Sequence, residues 1–287
     1  MKTQGKINPI LVILIAALLV SAITLLIVYL SGGRYNPSLP NGAKFLGKSE
    51  NGQPVSGTIR YQDDTEAELD FYNRTIRYAN GDVYIGEISN GCRHGHGIMS
   101  FASTGDVYEG YFQNDQITGT GTFKYSNGDL YVGGFLNSQK HGEGTFTYAN
   151  GNSYVGSFEN DVRSGKGVFK WASGASYEGD FANDLKHGYG TMLYESGDRY
   201  EGYFKNDMRD GEKGIYIWSN SERYNGTFRN NLMDTRTVDS EGNFVINEFG
   251  EYVHGEEAVY TFTTGRTYRG YFENGQAVGI NITNSGD

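Results

Sequence analysis

The run Cys92–His96 holds the residue types that bind zinc, with Cys92, His94 and His96 at alternate positions. Alternate side chains of a strand share a face, so the three could point the same way. A structural zinc site usually needs four ligands, however, and the string His-Gly-x-Gly recurs at His141 and His187. These recurrences are two repeats apart, roughly 19 Å at strand spacing, whereas zinc ligands share a centre ~2 Å away. The sequence therefore predicts no metal site.

No catalytic arrangement stands out either. The chain has no Gly-x-Ser-x-Gly elbow, no phosphate-binding loop and no His-Glu-x-x-His helix. Its Gly-x-Gly pairs fall at the ends of predicted hairpins, where they do not open a nucleotide-binding helix. The acid pairs Asp63-Asp64 and Glu256-Glu257 are most simply solvated surface. We therefore expect a protein that is not an enzyme and needs no cofactor.

The charge balance excludes a further class. The net charge is −10, and residues 1–33 contain Lys2 and Lys6 but no acid, so 22 basic residues face 34 acidic ones in the rest. Nucleic-acid binding needs basic groups that displace counterions from phosphates, so no nucleic-acid partner is expected. The same balance disfavours a general affinity for anionic lipid. Cys92 is the single cysteine and excludes an intrachain disulfide.

The element that repeats is a Tyr-x-Gly-x-aromatic unit with a period of 23 or 24 residues. A fixed period of this kind indicates a repeat architecture. Each unit contains two strands, joined by a longer turn such as Asn183–Gly188 and followed by a short Asn-Gly or Ser-Gly turn. The chain is therefore predicted to form an antiparallel meander of hairpins. The repeating tyrosines are Tyr84, Tyr108, Tyr131, Tyr154, Tyr177, Tyr200 and Tyr224.

One face of this sheet is predicted to be aromatic. Tyrosine, glycine and phenylalanine at i, i+2 and i+4 share a face, and the glycine leaves a slot for a ring of the neighbouring strand. These rings are either the core of the sheet or a surface that contacts a partner, because a single layer leaves a face uncovered. The candidate binding residues are Tyr108, Phe112, Tyr131, Phe135, Tyr154, Phe158, Tyr177, Phe181, Tyr200 and Phe204.

A charged rim accompanies the longer turns. Basic residues recur there, and aspartates precede three of them by two positions. This rim either keeps sheets from pairing edge to edge or orients a partner along the aromatic groove. The basic residues are Arg93, Lys140, Arg163, Lys186 and Arg209.

The order Tyr-x-Gly-x-Phe, Asn-x-x-x-His-Gly-x-Gly-Thr and Tyr-x-Asn-Gly-Asp resembles the MORN (membrane occupation and recognition nexus) repeat over residues 84–228. Weaker echoes lie at Phe45–Tyr61 and Tyr268–Gly279, and residues 62–76 and 229–267 depart from the pattern. The resemblance implies an all-β, single-layer, elongated meander of stacked hairpins. It also implies a role in protein interaction, scaffolding or assembly near a membrane.

The first part of the chain is predicted to be a membrane anchor. Residues 10–30 are 21 apolar or small residues without a charge, long enough to cross a bilayer as one transmembrane helix and longer than the core of a signal peptide. Residues 1–9 form a tail, and residues 31–56 form a linker with a degenerate first repeat from about 45. Lys2 and Lys6 favour a cytoplasmic tail, which places the repeats on the extracytoplasmic side of a single-pass membrane protein.

The domain order then continues with a degenerate repeat region at 57–83, repeats at 84–228, and degenerate repeats with a cap at 229–287. The predicted function is a membrane-anchored scaffold that binds a protein or extended peptide through the aromatic groove, with a homo-oligomer as a possible assembly. Two alternatives use the same face. One is binding of carbohydrate or cell wall by ring stacking, although only Trp171 and Trp218 are present, and the other is recognition of membrane lipid.

Overall fold

The computed structural model describes residues 34–35, 38–278 and 282–283, and no helix in this part is long and apolar enough to cross a membrane. The predicted tail 1–9 and membrane helix 10–30 lie outside these residues. The chain divides into two compact units, residues 1–126 and 127–287. The strands of the first unit are β1 Arg34–Tyr35, β2 Lys44–Glu50, β3 Gln53–Arg60, β4 Glu66–Asp70, β5 Thr75–Tyr78, β6 Val83–Ser89, β7 Cys92–Ser100, β8 Val107–Gln113 and β9 Gln116–Lys124.

The second unit begins with strands that alternate between seven and nine residues, as the last four of the first unit do, and ends with several shorter ones. In both units most strands pair antiparallel with the next along the chain, as a meander of hairpins requires. The strands of the second unit are β10 Leu130–Leu136, β11 Gln139–Thr147, β12 Ser153–Glu159, β13 Val162–Lys170, β14 Ser176–Ala182, β15 Leu185–Leu193, β16 Arg199–Lys205, β17 Met208–Arg209, β18 Gly211–Ile217, β19 Arg223–Arg229, β20 Leu232–Met233, β21 Ala258–Thr261, β22 Thr267–Glu273, β23 Gln276–Val278 and β24 Ile282–Thr283.

The register sets glycine opposite glycine in every repeat. Gly156 pairs with Gly144 on one side and with Gly167 on the other. The ring of Tyr154 lies over this gap, because a Cβ built on Gly167 would be 2.5 Å from Cε2 of Tyr154. Tyr131 fills the gap at Gly144 in the same way. The predicted role of the glycines as slots for rings of the neighbouring strand is confirmed.

The two kinds of turn differ from the prediction. The longer turn contains only two residues outside the strands, and both Asn160 and Asp161 have positive φ, 50° and 74°. That is the two-residue hairpin geometry expected of the Asn-Gly turns. In the Asn-Gly turn only Gly151 has positive φ, and Tyr148 closes it by bonding Asn152 O through its N–H. Asparagine and aspartate tolerate the left-handed region, so the longer turn can adopt the geometry that was predicted for the Asn-Gly turn.

Consecutive repeats are joined at both ends by side-chain bonds to the backbone. At the longer turns Asp184 accepts a bond from the N–H of Arg163 (2.9 Å) and donates its own N–H to Arg163 O (3.1 Å). At the short turns Asp129 accepts from the N–H of Ala149 at 2.7 Å. The aspartates of the charged rim therefore bond the repeat before them, and not the basic residue two positions later in their own repeat.

One joint of the short-turn series lacks its acceptor. Asn152 accepts from the N–H of Ala172, and Asp198 accepts from that of Ser219, but the intervening position is Ala175. We expect Ala175→Asn to raise the free energy of unfolding by about 1 kcal/mol, since the amide can accept from the N–H of Glu195 as Asn152 does one repeat earlier. Urea titration measures the change, with Ala175→Val as the control for added volume. An asparagine variant no more stable than the valine variant would contradict this account of the joints.

A hairpin precedes the regular repeats. β2 and β3 pair within residues 44–60, with Phe45 fully buried in the position of the repeat tyrosine and Gly47 opposite Gly57. The hairpin includes the stretch predicted as a degenerate first repeat from about 45, and it carries the ring and the slot of a repeat. Residues 62–76, which depart from the repeat pattern, continue the meander as β4 and β5.

Residues 234–257 leave the sheet between β20 and β21. Within this segment, isolated bridges join Val238 to Phe244 and Ile246 to Tyr252. Arg236 is buried against Asp234, with Nε 2.9 Å from Oδ1, and its guanidinium lies 3.7 Å from the ring centre of Phe244. The chain then returns as β21, which pairs with β19.

Candidate functional site

All ten predicted binding residues are buried. The five tyrosines have no exposed surface, and the five phenylalanines are at most 7% exposed. Phe158 stands edge-on between two tyrosines, at 5.1 Å from both Tyr131 and Tyr154, and Phe181 and Phe204 are placed in the same way. Edge-to-face contacts of this kind stabilise a core beyond simple burial. The structure thus places these side chains in the core and leaves the surface of the face to other residues.

The tyrosine hydroxyls have a structural role that the sequence analysis missed. Tyr154 donates to Ser157 O at 3.0 Å, and Ser157 is the residue at which β12 bulges against β13. Tyr131 donates in the same way to Gly134 O at 2.9 Å, at the bulge of β10. The hydroxyl satisfies a carbonyl that the bulge removes from the ladder. The occurrence of tyrosine and never phenylalanine at all seven repeat positions was the available signal.

The basic residues of the rim cover the rings. The guanidinium of Arg163 lies 5.6 Å from the ring centre of Tyr154 and 5.3 Å from that of Phe181, while its Nε is 2.9 Å from Asp184 Oδ1. Its side chain is 19% exposed. Lys140, Lys186 and Arg209 occupy the same place in their repeats. The sequence analysis gave the rim two possible roles, and neither was this one. The cations cover the core rings of a single-layer sheet, which has no second layer to cover them.

A second set of rings on the same face remains partly exposed, and we call it the aromatic row. Each of its residues opens a short turn, so both its backbone groups are hydrogen-bonded, as the N–H and C=O of Trp171 are to Ala175 and Gly174. All except Tyr194, which follows Met192, pack against the ring two residues earlier, with centroids 4.6 Å apart for Phe169 and Trp171. The aromatic row of the second unit consists of Tyr148, Trp171, Tyr194, Trp218 and Phe262.

The aromatic row ends at an apolar pocket of about 460 Å³. Opposite Phe228 and Phe272 the register places Met233 and Ala277. The four preceding hairpins of the second unit place a lysine or arginine opposite phenylalanine at this position. Without a cation to cover the rings, space opens beside Trp218. The lining residues are Trp218, Met233, Tyr260, Phe262, Tyr268, Phe272, Gly275 and Ala277.

Phenols along the aromatic row stay neutral. Burial raises the pKa of Tyr194, and burial together with a hydrogen bond to Glu222 raises the pKa of Tyr260 to about 12. Burial opposes ionisation of Asp198, but hydrogen bonds from Tyr216 and the N–H of Ser219 hold its pKa below the usual range. This part of the face therefore combines neutral phenols with negative charge at its border. The described residues contain no cluster of histidine, cysteine and acids able to hold a metal.

The buried phenols predict a loss of stability in alkali. Burial raises the pKa of Tyr154 to about 12, against about 10 in an unfolded chain. Below pH 10 both states keep the proton and the stabilisation is complete; above it the unfolded state loses the proton first, so stability falls as pH rises towards 12. We expect the free energy of unfolding to drop by about 1 kcal/mol per such phenol between pH 10 and 11. Urea titrations at pH 9, 10 and 11 check this against Tyr154→Phe, whose slope should be smaller by one phenol; equal slopes would contradict it.

Comparison with known proteins agrees with the repeat geometry. The MORN repeat profile matches residues 84–105, 108–130, 131–153, 154–176, 177–199 and 200–223. The chain contains six MORN repeats. The last four of these repeats lie in the second unit. Each residue of the aromatic row directly follows the second strand of one of them or, in the case of Phe262, follows β21. No curated protein sequence matches the chain as a relative.

Solved structures show only distant similarity. The TCP10 domain of Danio rerio CPAP in complex with a peptide of Danio rerio STIL is 13% identical, with a TM-score of 0.40 over 88% of this chain and 99% of that one. The TCP10c domain of Drosophila melanogaster Sas-4 is 14% identical, with a TM-score of 0.30 over 61% and 100%. Virginiamycin B lyase from Staphylococcus aureus is 12% identical, with a TM-score of 0.14 over 82% and 79%. At these TM-scores the similarities carry no inference about the MORN repeats.

Proposed function

We propose that the chain is an interaction module that binds an extended peptide segment of another protein along the aromatic row. The observation that carries the proposal is the row itself: partly exposed rings at one fixed position of successive repeats, ending at the apolar pocket. Tyrosine and tryptophan are the usual anchors of protein interfaces, and a pocket at the end of the row suits one larger apolar side chain. The proposal assigns a binding role and no catalytic one.

The rings of the aromatic row are preorganised for binding. The turn bonds fix the backbone of Tyr194 through Asp198 and Gly197, and the ring of Tyr194 lies 5.9 Å from that of Tyr216 in the next repeat. Side chains held in this way lose little conformational entropy on binding. This supports binding by a preformed surface, since the partner alone has to become ordered.

We further propose that the module is displayed by a single-pass membrane anchor, residues 10–30, with the repeats on the extracytoplasmic side. The support is the length and composition of the apolar run and the two lysines before it. Protease added to sealed cells should remove the repeats if this orientation holds. Digestion only after the membrane is permeabilised would place the repeats on the other side.

Selection from a phage library of random peptides tests the peptide-binding proposal. The full chain should enrich peptides that bind it, and the double variant Trp171→Ala/Tyr194→Ala should bind them at least 10-fold more weakly. Ala277→Arg should weaken those peptides that use the pocket, because it restores the cation of the other repeats. Each lost factor of ten corresponds to about 1.4 kcal/mol.

The matched control is Tyr189→Ala/Tyr203→Ala, which removes two aromatic rings from the opposite face. Those rings are 44% and 52% exposed and pack against each other at 5.4 Å. An equal loss of peptide affinity in both double variants would contradict the proposal. If no peptide is enriched and the chain is retained on a glycan array, carbohydrate binding by the same rings becomes the better explanation. If no peptide is enriched and the chain floats with liposomes, lipid recognition does.

A further inference from the structure

The geometry points to one conformation and composition for the bound segment. We propose that the aromatic row takes a polyproline II helix with proline at every third residue and basic residues beside the prolines. This inference rests on the proposed function, since it names the class of peptide that the aromatic row binds.

The spacing of the rings carries the first step. Successive row residues are separated by one hairpin, two strands, so equivalent rings recur about every 9.6 Å. A polyproline II helix rises about 3.1 Å per residue with three residues per turn, so every third residue lies on one face about 9.3 Å from the last. The two periods agree to within a few tenths of an ångström. Rings Tyr148, Trp171 and Tyr194 would then each meet one proline.

A bound β-strand fits less well. Its side chains on one face recur about every 6.7 Å, which does not match the repeat of the rings. Strand addition also needs an unpaired sheet edge, whereas β13 and β15, whose chain continues into Trp171 and Tyr194, are paired on both sides. The face therefore favours a ligand that binds without forming a β-ladder with the sheet. A polyproline II helix is such a ligand, because it has no internal hydrogen bonds and forms no sheet.

Donors stand beside the rings. Within the described part of the chain, the indole N–H of Trp171 and that of Trp218 make no hydrogen bond. Polyproline II carbonyls have no internal partner, so each is an acceptor for such a donor. An aromatic face for the proline ring and a donor for the preceding carbonyl form the two halves of a proline-recognition groove.

Charge supplies the second half of the proposal. The short turns that border the aromatic row contain four carboxylates and one cation, Arg266. None of the four forms an ion pair with a basic residue of the described chain, whereas the aspartates of the longer turns, such as Asp184, are paired. A partner with basic residues complements this border. The four carboxylates are Asp129, Glu195, Asp198 and Glu222.

Two synthetic peptides of identical composition test the inference on the full chain. Both carry an arginine at each end, three prolines and alanines; one has proline at every third position and the other at every second. The only two tryptophans, Trp171 and Trp218, are in or beside the contact, so intrinsic fluorescence reports binding. We expect the third-position peptide to bind at least 10-fold more tightly and Trp171→Ala to abolish the difference, while Tyr189→Ala keeps it.

Charge reversal provides an independent readout that leaves the core intact. Glu195 is exposed, and Glu195→Lys should weaken the arginine-flanked peptide and strengthen its aspartate-flanked counterpart. Equal affinity of the two proline spacings, or indifference to Glu195→Lys, overturns the inference. If library-selected peptides bind the aromatic row but lack proline at a spacing of three, the inference fails and the proposed function stands. If no peptide of any kind binds, both fail.

Discussion

Gly167→Ala is expected to destabilise the second unit by about 3 kcal/mol, more than any exposed substitution. The new Cβ would be 2.5 Å from two atoms of Tyr154, whose ring has no exposed surface and is held edge-on by Phe158 and Phe181 at 5.1 Å each. The ring has nowhere to move without breaking those contacts, and overpacking of a tight core costs about 1–3 kcal/mol. Urea titration of the two chains measures the difference.

The matched control is Gly255→Ala, where φ is not positive and the nearest atom lies 3.7 Å from the added Cβ. It should change stability by no more than about 0.5 kcal/mol. A double-mutant cycle sharpens the test: combined with Tyr154→Leu, Gly167→Ala should cost little extra, because the ring it strikes has gone. Additive losses would mean that the clash with Tyr154 is not the cause.

Asp234→Ala is expected to cost about 3–5 kcal/mol, the largest effect of any polar substitution, since it leaves a buried guanidinium without its partner. Arg236 and Asp234 are 4% and 3% exposed, and both guanidinium nitrogens facing the carboxylate bond it. Arg236 also lies between Phe244 and Tyr252, 3.7 and 4.7 Å from their ring centres. The pair therefore holds the 234–257 segment together and, through it, the end of the sheet.

Urea titration measures this loss against Glu66→Ala, which breaks the exposed pair with Arg60, whose two side chains are 50% and 43% exposed. That control should lose about 0–1 kcal/mol, because water screens an exposed pair. The double variant Asp234→Leu/Arg236→Met, which removes both charges, should recover much of the stability. A loss from Asp234→Ala no larger than that of the exposed pair would contradict the buried-pair account.

The repetition of the sequence was sufficient to predict the hairpins and the use of glycine as a slot. A Tyr-x-Gly-x-Phe string with a strict period is compatible with few other structures, because the ring of one strand packs into the space that glycine leaves on the next strand. The resemblance to MORN repeats added the single-layer meander. The pairing of Gly144 with Gly156 and Gly167 confirms both.

The candidate site was less predictable because burial depends on partners far along the chain. Tyr154 and Phe158 are among the largest apolar residues of their strand, so they were natural candidates for contact. Phe181 and Arg163 cover Tyr154, however, and Tyr131 packs against Phe158. The exposed rings sit at the start of the short turns, where Trp171 could be taken for a turn residue. Nothing local in the sequence indicates that Arg163 bonds Asp184, 21 residues away.

The pocket shows the same limit. Met233 and Ala277 stand where the four preceding hairpins have a cation, and the pairing of β21 with β19 across the irregular segment 234–257 brings Tyr260 beside Trp218. The offset of five residues from Phe228 to Met233 is the same as from Phe204 to Arg209 and is visible in the sequence, but the pairing of β21 with β19 could be read only from the structure.

The most direct test of binding along the aromatic row is the NMR signal of the two indole N–H groups. Addition of a library-selected peptide to the ¹⁵N-labelled chain should shift or broaden the signals of both Trp171 and Trp218, with little change at Thr191 or Val168 on the opposite face. Unchanged indole signals, with the shifts confined to Thr191, Val168 and their neighbours, would contradict the account.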